Sequence, residues 1–210
     1  MAQAPIDALC RRLLDEFRRD SRGTRVAQLL GEYAASHGDW EEWALFDQQH
    51  YTRNLVHRCG DFELLLLAWG AGQSSPIHDH SGQQCWMAVL DGVVEEVHFR
   101  QREGAAPVSA NPRRFQPGQV AYIEDEIALH LVRPADNQPA VSLHLYSNPI
   151  DSCRIYDPAS DEVWNLTELL PDTFERFFAF FRPAHTEGVA PARVKEIARI
   201  KIAAMNECDT

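Results

Sequence analysis

The chain has 210 residues, with 20 Lys and Arg against 31 Asp and Glu and a formal net charge of −11. No run of basic residues offsets that balance, which argues against nucleic acid or an anionic membrane as a partner, and no apolar stretch reaches transmembrane length. Five widely spaced cysteines, odd in number and without a CxxC pair, fit a reduced cytoplasmic protein rather than a disulfide framework. The first residues also lack the basic-then-apolar order of a secretion signal.

The first ~50 residues read as helical. Ile6, Leu9, Cys10, Leu13, Leu14 and Phe17 recur at the spacing of one helix face, and Val26, Leu29, Leu30 and Tyr33 repeat it after a break at Gly23-Thr24. Asp39 before Trp40-Glu41-Glu42-Trp43 predicts a capped third short helix. From Asp61 the texture changes to short apolar runs separated by turn residues, which predicts an antiparallel sandwich or barrel. The expected strands are Phe62–Trp69, Ile77–His80, Gln84–Leu90, Val93–Arg100, Gln119–Ile123, Ala128–Val132, Ala140–Tyr146 and Arg154–Tyr156. Asp91-Gly92 reads as a hairpin turn between two of them, and Glu103 to Asn111 as a loop. After Trp164 the pattern returns to helix. Asp172 and Glu175 open an apolar face of Phe174, Phe177, Phe178 and Phe181 that Pro183 ends, and a last helix runs from Pro191 to about Met205.

His78-Asp79-His80 follows the turn-rich loop Gly70-Ala71-Gly72-Gln73-Ser74-Ser75-Pro76. Residues two apart on a strand share a face, so both imidazoles can grip one ion while Asp79 points away. Imidazole nitrogen suits Fe(II), Zn and Cu. The same rule puts Ser142, His144 and Tyr146 on one face and Val141, Leu143 and Leu145 on the other. Three polar groups in line on an apolar strand would be costly in a dry core, which favours a ligand-lined cavity. His130, ending Glu126-Ile127-Ala128-Leu129-His130, lies close after a turn; periodicity alone leaves it open between ligand and satisfied core histidine. His98 reads as a surface strand residue.

The spacing from Gly72 through His78, His80 and Cys85 to Gly92 resembles the first motif of the cupin superfamily, with Cys85 where a glutamate ligand is usual. A metal site without a carboxylate keeps more positive charge, which suits an anionic thiolate. More specifically, the chain resembles the cysteine dioxygenases through Tyr51-Thr52-Arg53-Asn54-Leu55-Val56, Ser75-Pro76-Ile77-His78-Asp79-His80, Cys85, Ile127-Ala128-Leu129-His130 and Ala140 to Ser147.

The resemblance covers roughly Tyr51 to Tyr156. It implies a mainly β cupin-type antiparallel barrel, or jelly roll, over residues 51–160, preceded by a helical part (1–50) and followed by a helical C-terminal extension (161–210), in one domain. It further implies one non-haem Fe(II) held by His78, His80 and His130, and addition of both atoms of O2 to the sulfur of L-cysteine. Arg53 would pair with the substrate carboxylate and Tyr51 would support that contact. Tyr146, with His144 and Ser142 behind it, would hydrogen-bond near the reacting atoms, and Cys85 would form a thioether with Tyr146. Trp69 matches a buried tryptophan near that pair, and Cys153 a cysteine near the site entrance. A monomer is expected.

Two positions depart from the family pattern. Asn148 stands where the animal enzymes have the first of two prolines, preceded there by a cis peptide, which would shift the backbone after Tyr146. Pro76 replaces a serine and stiffens the loop before the histidines. Two other functions compete. Dioxygenases of 3-mercaptopropionate and other small thiols carry Gln in place of Arg53 and lack the cysteine at Cys85, so both positions favour cysteine. A non-catalytic metal-binding cupin module would not need the open coordination positions that the three histidines leave.

Overall fold

The computed structural model describes residues 4–36, 38–150 and 153–165. The chain divides into two units between Trp164 and Asn165, and the architecture below is that of the first. The helices expected between Asp172 and Pro183 and between Pro191 and Met205 lie outside the described residues.

Two amphipathic helices open the unit, α1 (Pro5–Arg19) and α2 (Val26–Ala34). Pro at the first position of α1 lacks an N–H that would be orphaned there anyway. The expected stripes are the buried faces: Ile6, Leu9, Leu13 and Phe17 from α1 and Val26, Leu29, Leu30 and Tyr33 from α2. The third helix is a single 3₁₀ turn, Asp39–Trp43, and Asp39 is part of it rather than its cap. Its carboxylate instead accepts from Ile6 N and the Tyr33 hydroxyl, both at 2.9 Å, and so ties the start of α1 to the end of α2. Among the described residues no helix is long and apolar enough to cross a membrane.

The strands among the described residues are β1 (Thr52–Arg58), β2 (Phe62–Trp69), β3 (Ile77–His78), β4 (Gln84–Asp91), β5 (Val94–Arg102), β6 (Ala105–Ser109), β7 (Arg113–Phe115), β8 (Val120–Ile123), β9 (Leu129–Pro134), β10 (Ala140–Ser147), β11 (Arg154–Tyr156) and β12 (Val163–Asn165). They form two antiparallel sheets, one in the order β1-β2-β10-β4-β8, the other β12-β11-β3-β9-β5-β6 with β7 also on β5. The mainly β barrel expected from the sequence is therefore present.

Three local expectations need correction. Asp91-Gly92 does not close a hairpin, because β4 pairs with β10 and β8 whereas β5 pairs with β6, β7 and β9. The chain crosses there from one sheet to the other. Residues read as a loop contain β6, which pairs with β5 despite its Pro107. Strand β1 escaped notice because Arg53, Asn54, His57 and Arg58 break its apolar pattern; it is an edge strand with a register shift between Leu55 and His57.

Strands β2 and β10 run side by side, Leu143 opposite Leu66 and His144 opposite Leu65, and are buried on both faces. Leu64, Leu66, Val141, Leu143 and Leu145 pack with the helices in one cluster. Leu65, Leu67, Trp69 and Tyr146 face the barrel interior with Met87, Val89 and Val132 in another. Each such buried aliphatic side chain contributes about 1.5–3 kcal/mol. Together they fix the alternation that points Ser142, His144 and Tyr146 inward.

Gly92 sits at the crossing with φ +70°, and a Cβ there would lie 2.5 Å from the Pro139 carbonyl oxygen and 2.9 Å from Ala140 Cα. Left-handed backbone alone costs an alanine about 1–2 kcal/mol, before the collision with main chain is counted. Gly92→Ala is expected to lose at least that much stability in a denaturant titration; an unchanged midpoint would show that the crossing relaxes freely.

Candidate metal centre

The loop before the HxH pair is pinned to β9. Ser75 N donates to the Val132 carbonyl at 2.9 Å and Val132 N donates to the Ser75 hydroxyl oxygen at 3.0 Å. Strand β3 then pairs with β9 so that His78 lies opposite His130. Past β3, Asp125 accepts from His80 N and Gly82 N, both at 2.7 Å, which holds the turn carrying His80. Asp79 points away from the imidazoles, as expected, and is buried. Its carboxylate accepts from Arg154 N (2.9 Å), Arg154 Nε (2.5 Å) and the Tyr156 hydroxyl (3.2 Å), fastening β3 to β11.

His78, His80 and His130 converge, with one nitrogen from each lying within 4.8 Å of the others. Their tautomers follow from their outer contacts. His78 Nδ1 lies 3.0 Å from the Pro76 carbonyl oxygen, which can only accept, so Nδ1 carries the proton and Nε2 is bare. His130 Nδ1 lies 2.9 Å from a carboxylate oxygen of Glu96, with the same result. The two Nε2 atoms are 3.2 Å apart, and two lone pairs facing each other form no hydrogen bond. His80, fully buried, has no hydrogen-bond partner at either ring nitrogen. Burial, then the neighbouring His130, pushes His78 down to about 3 and His80 to about 2, so neither ring is charged near neutrality. Three converging imidazoles, two of them held neutral, fit a borderline metal ion and fit little else.

Beside them lies a cavity of about 40 Å³, lined by Tyr51, Arg53, Trp69, His144, Tyr146 and Cys153 among others. The inner face of β10 is wired in series. Trp69 Nε1 can only donate, and does so to the Ser142 hydroxyl oxygen at 2.8 Å. Ser142 Oγ is also hydrogen-bonded to His144 Nε2, at 2.8 Å. Tyr51 stacks on Trp69 with ring centres 4.6 Å apart. The Arg53 guanidinium carbon is 5.9 Å from the centre of the Tyr146 ring. Cys85 stands opposite Tyr146 in the β4–β10 pair. Burial raises the acidities' midpoints of both groups, so thiol and phenol are protonated.

The Asn148 departure is absorbed locally. Among the described residues no peptide is cis; Asn148 takes φ +57°, a region asparagine tolerates, and its N–H donates to the Asp61 carbonyl at 3.0 Å. Tyr146 keeps its place in the strand.

The expected site residues thus come together: His78, His80 and His130 in one cluster, Tyr51, Arg53, His144 and Tyr146 around the adjoining cavity, with Ser142 bonded to His144 and Cys85 paired with Tyr146 outside its lining. Missed from sequence were the groups behind them, Asp125 and Glu96. Glu96 had a signal, since it shares a strand face with Val94 and is buried. His98 is not a plain surface residue: its side chain is 19% exposed and its Nε2 lies 3.3 Å from Glu96.

An antiparallel two-sheet barrel holding three convergent histidines in its interior defines a metal-binding cupin. The chain belongs to the cysteine dioxygenase type I family, whose profile matches residues 2–159, and is by that membership an oxidoreductase of the dioxygenase class. Relatives include cysteine dioxygenase type 1 of Danio rerio, 39% identical over 163 residues that cover 75% of this chain and 81% of the relative. That of Homo sapiens is 36% identical over 167 residues, covering 78% and 82%. Among solved structures, a protein with a double-stranded β-helix domain from Klebsiella pneumoniae aligns with 54% of this chain and 85% of its own at TM-score 0.45 and 14% identity.

Proposed function

We propose that this chain is an Fe(II)-dependent dioxygenase that adds both atoms of O2 to the sulfur of L-cysteine, giving cysteine sulfinate. The observation that carries the reading is the set of bare imidazole nitrogens beside a cavity whose wall presents an arginine. His78, His80 and His130 would hold the iron, which when bound supplies the redox chemistry that O2 needs and open positions for the substrate thiolate and amine.

The remaining steps belong to the protein. Arg53 has no carboxylate partner among the described residues, and it receives the substrate carboxylate, with Tyr51 alongside. Leu67, Trp69 and Val132 form the apolar wall that keeps bulk water from the reacting sulfur. Tyr146 remains a phenol and donates a hydrogen bond toward the reacting atoms. His144 is neutral, and its hydrogen bond to the Ser142 hydroxyl holds the ring in place. Cys85 and Tyr146 join through a bond from Sγ to a ring carbon; the two hydrogens lost are taken up by O2. The four described cysteines are free, in keeping with a cytoplasmic setting. The family match ends at residue 159, so residues 161–210 stand outside it.

Oxygen uptake by iron-loaded protein with L-cysteine, 3-mercaptopropionate and cysteamine tests the reaction, and uptake with 3-mercaptopropionate alone would reassign the substrate. His130→Ala is expected to lose iron, whereas His144→Ala keeps most of it and loses turnover; metal analysis of both decides between them. Truncating a charged partner of a buried carboxylate costs about 2–5 kcal/mol, so Arg53→Ala should raise the KM for cysteine by more than about tenfold with iron content unchanged. Cysteamine, which lacks a carboxylate, should be turned over poorly by the parent protein; turnover equal to that of cysteine contradicts the Arg53 role. Intact mass should fall by two hydrogens (about 2 Da) during aerobic turnover, and Cys85→Ser or Tyr146→Phe should block that loss.

A further inference from the structure

Glu96 takes no direct part in the reaction above, yet it is a charged side chain only 1% exposed. A carboxylate at that depth is unfavourable unless it is paired and hydrogen-bonded. Three strands supply the partners. Glu96 lies on β5, opposite Arg113 of β7, and the next inward residue of β5, His98, lies opposite His130 of β9. One carboxylate oxygen meets His130 Nδ1 at 2.9 Å. The other meets Arg113 at 2.5 Å and His98 Nε2 at 3.3 Å. The Arg113 guanidinium and the His130 ring N–H offset the cost of burying its charge.

The three imidazoles of the cluster are therefore not equivalent. His78 leans on a neutral backbone carbonyl, and His80 makes no ring hydrogen bond, the Asp125 carboxylate standing off at 3.8 Å from its Nδ1. Only His130 is hydrogen-bonded through its ring to a carboxylate. Asp79 and Asp125 accept from backbone N–H groups around the HxH pair, so their hydrogen bonds brace the main chain. Cys85 occupies the place of the glutamate in the cupin motif, and the site has no carboxylate of its own among the clustered groups. We infer that Glu96 is a positioning residue that restores this missing charge at one remove, delivering it to the metal through the ring of His130. The inference rests on the reading of His78, His80 and His130 as the metal site. Glu96 fixes the His130 tautomer and ring plane and makes its Nε2 a stronger donor than those of the other two rings. Arg113 holds the second oxygen, so the carboxylate cannot turn to bind the metal itself.

Co(II) is the probe, since its affinity is measured by chelator competition and its visible bands report ligand strength, both without turnover. Glu96→Gln keeps the shape and removes the charge; it should bind Co(II) about 10–100-fold more weakly and shift those bands. Glu95→Gln is the control, because Glu95 holds Arg114 and Arg133 on the same strand and does not touch His130. It should bind Co(II) as the parent chain does. In the unaltered metal-free protein, ¹⁵N spectra of the histidine rings should show His130 protonated at Nδ1, a readout that does not depend on any variant folding. A proton at Nε2, or parental Co(II) affinity and bands in Glu96→Gln, overturns the inference. Co(II) lost by His130→Ala but held by Glu96→Gln overturns it alone; Co(II) held by His130→Ala overturns the metal site as well.

Discussion

Two imidazole nitrogens, 3.2 Å apart and both without protons, face each other inside the barrel, with a third ring beside them that has no hydrogen-bond partner. Buried lone pairs without donors are unfavourable, and packing alone would let the rings turn away or take up protons. The surroundings prevent both. Burial and mutual proximity keep His78 and His80 neutral. The Pro76 carbonyl and Glu96 hold the other ring nitrogens of His78 and His130, so those rings cannot flip without losing a bond. The fold keeps an arrangement that is poor for itself and good for a cation.

That constraint explains why so much of the polar inventory is buried. Asp79, Glu96, Ser75, Ser142, His80, His130 and His144 all lie below the surface. Each buried member with a job in the scaffold is satisfied: Asp79 by Arg154 and Tyr156, Ser75 by β9, Ser142 by Trp69 and His144. Among the described residues five buried side-chain atoms lack hydrogen-bond partners: both nitrogens of His80 and Nδ1 of His144 belong to rings of the site, and the other two are His57 Nε2 and Gln83 Oε1. Unsatisfied groups concentrated where chemistry is expected, with satisfied ones around them, are what preorganisation requires.

Much of this was legible in the sequence because strands have a period of two. Leu143 and His144 are neighbours in the chain, yet one belongs to the helix-facing cluster and the other to the cavity. The alternation of β10 showed that division directly; the strand expected to run to His80 ends at His78, and the turn held by Asp125 brings His80 beside it instead. What the sequence withheld was pairing between distant strands. Glu96 reads as one of two surface glutamates until β5 is laid against β7 and β9. Asp91-Gly92 has the composition of a hairpin, but its meaning changes once β4 and β5 go to different sheets; local turn chemistry cannot tell a reversal within a sheet from a crossing between two. Asn148 met the loss of a proline with a left-handed residue, a solution invisible to a motif comparison.

The bond between Asp79 and Arg154 joins residues 75 apart in the chain. The cluster as a whole draws on β3, β5, β9 and β11, so no contiguous stretch contains a working set of ligands with their supports. Contacts of such long range form late and slowly, after loop-closure entropy has been overcome. The metal therefore meets its three histidines in final geometry only when both sheets have closed. Its uptake acts as a checkpoint on the finished barrel, and a nascent or truncated chain lacking β11 would have the histidines without the grip that holds them together.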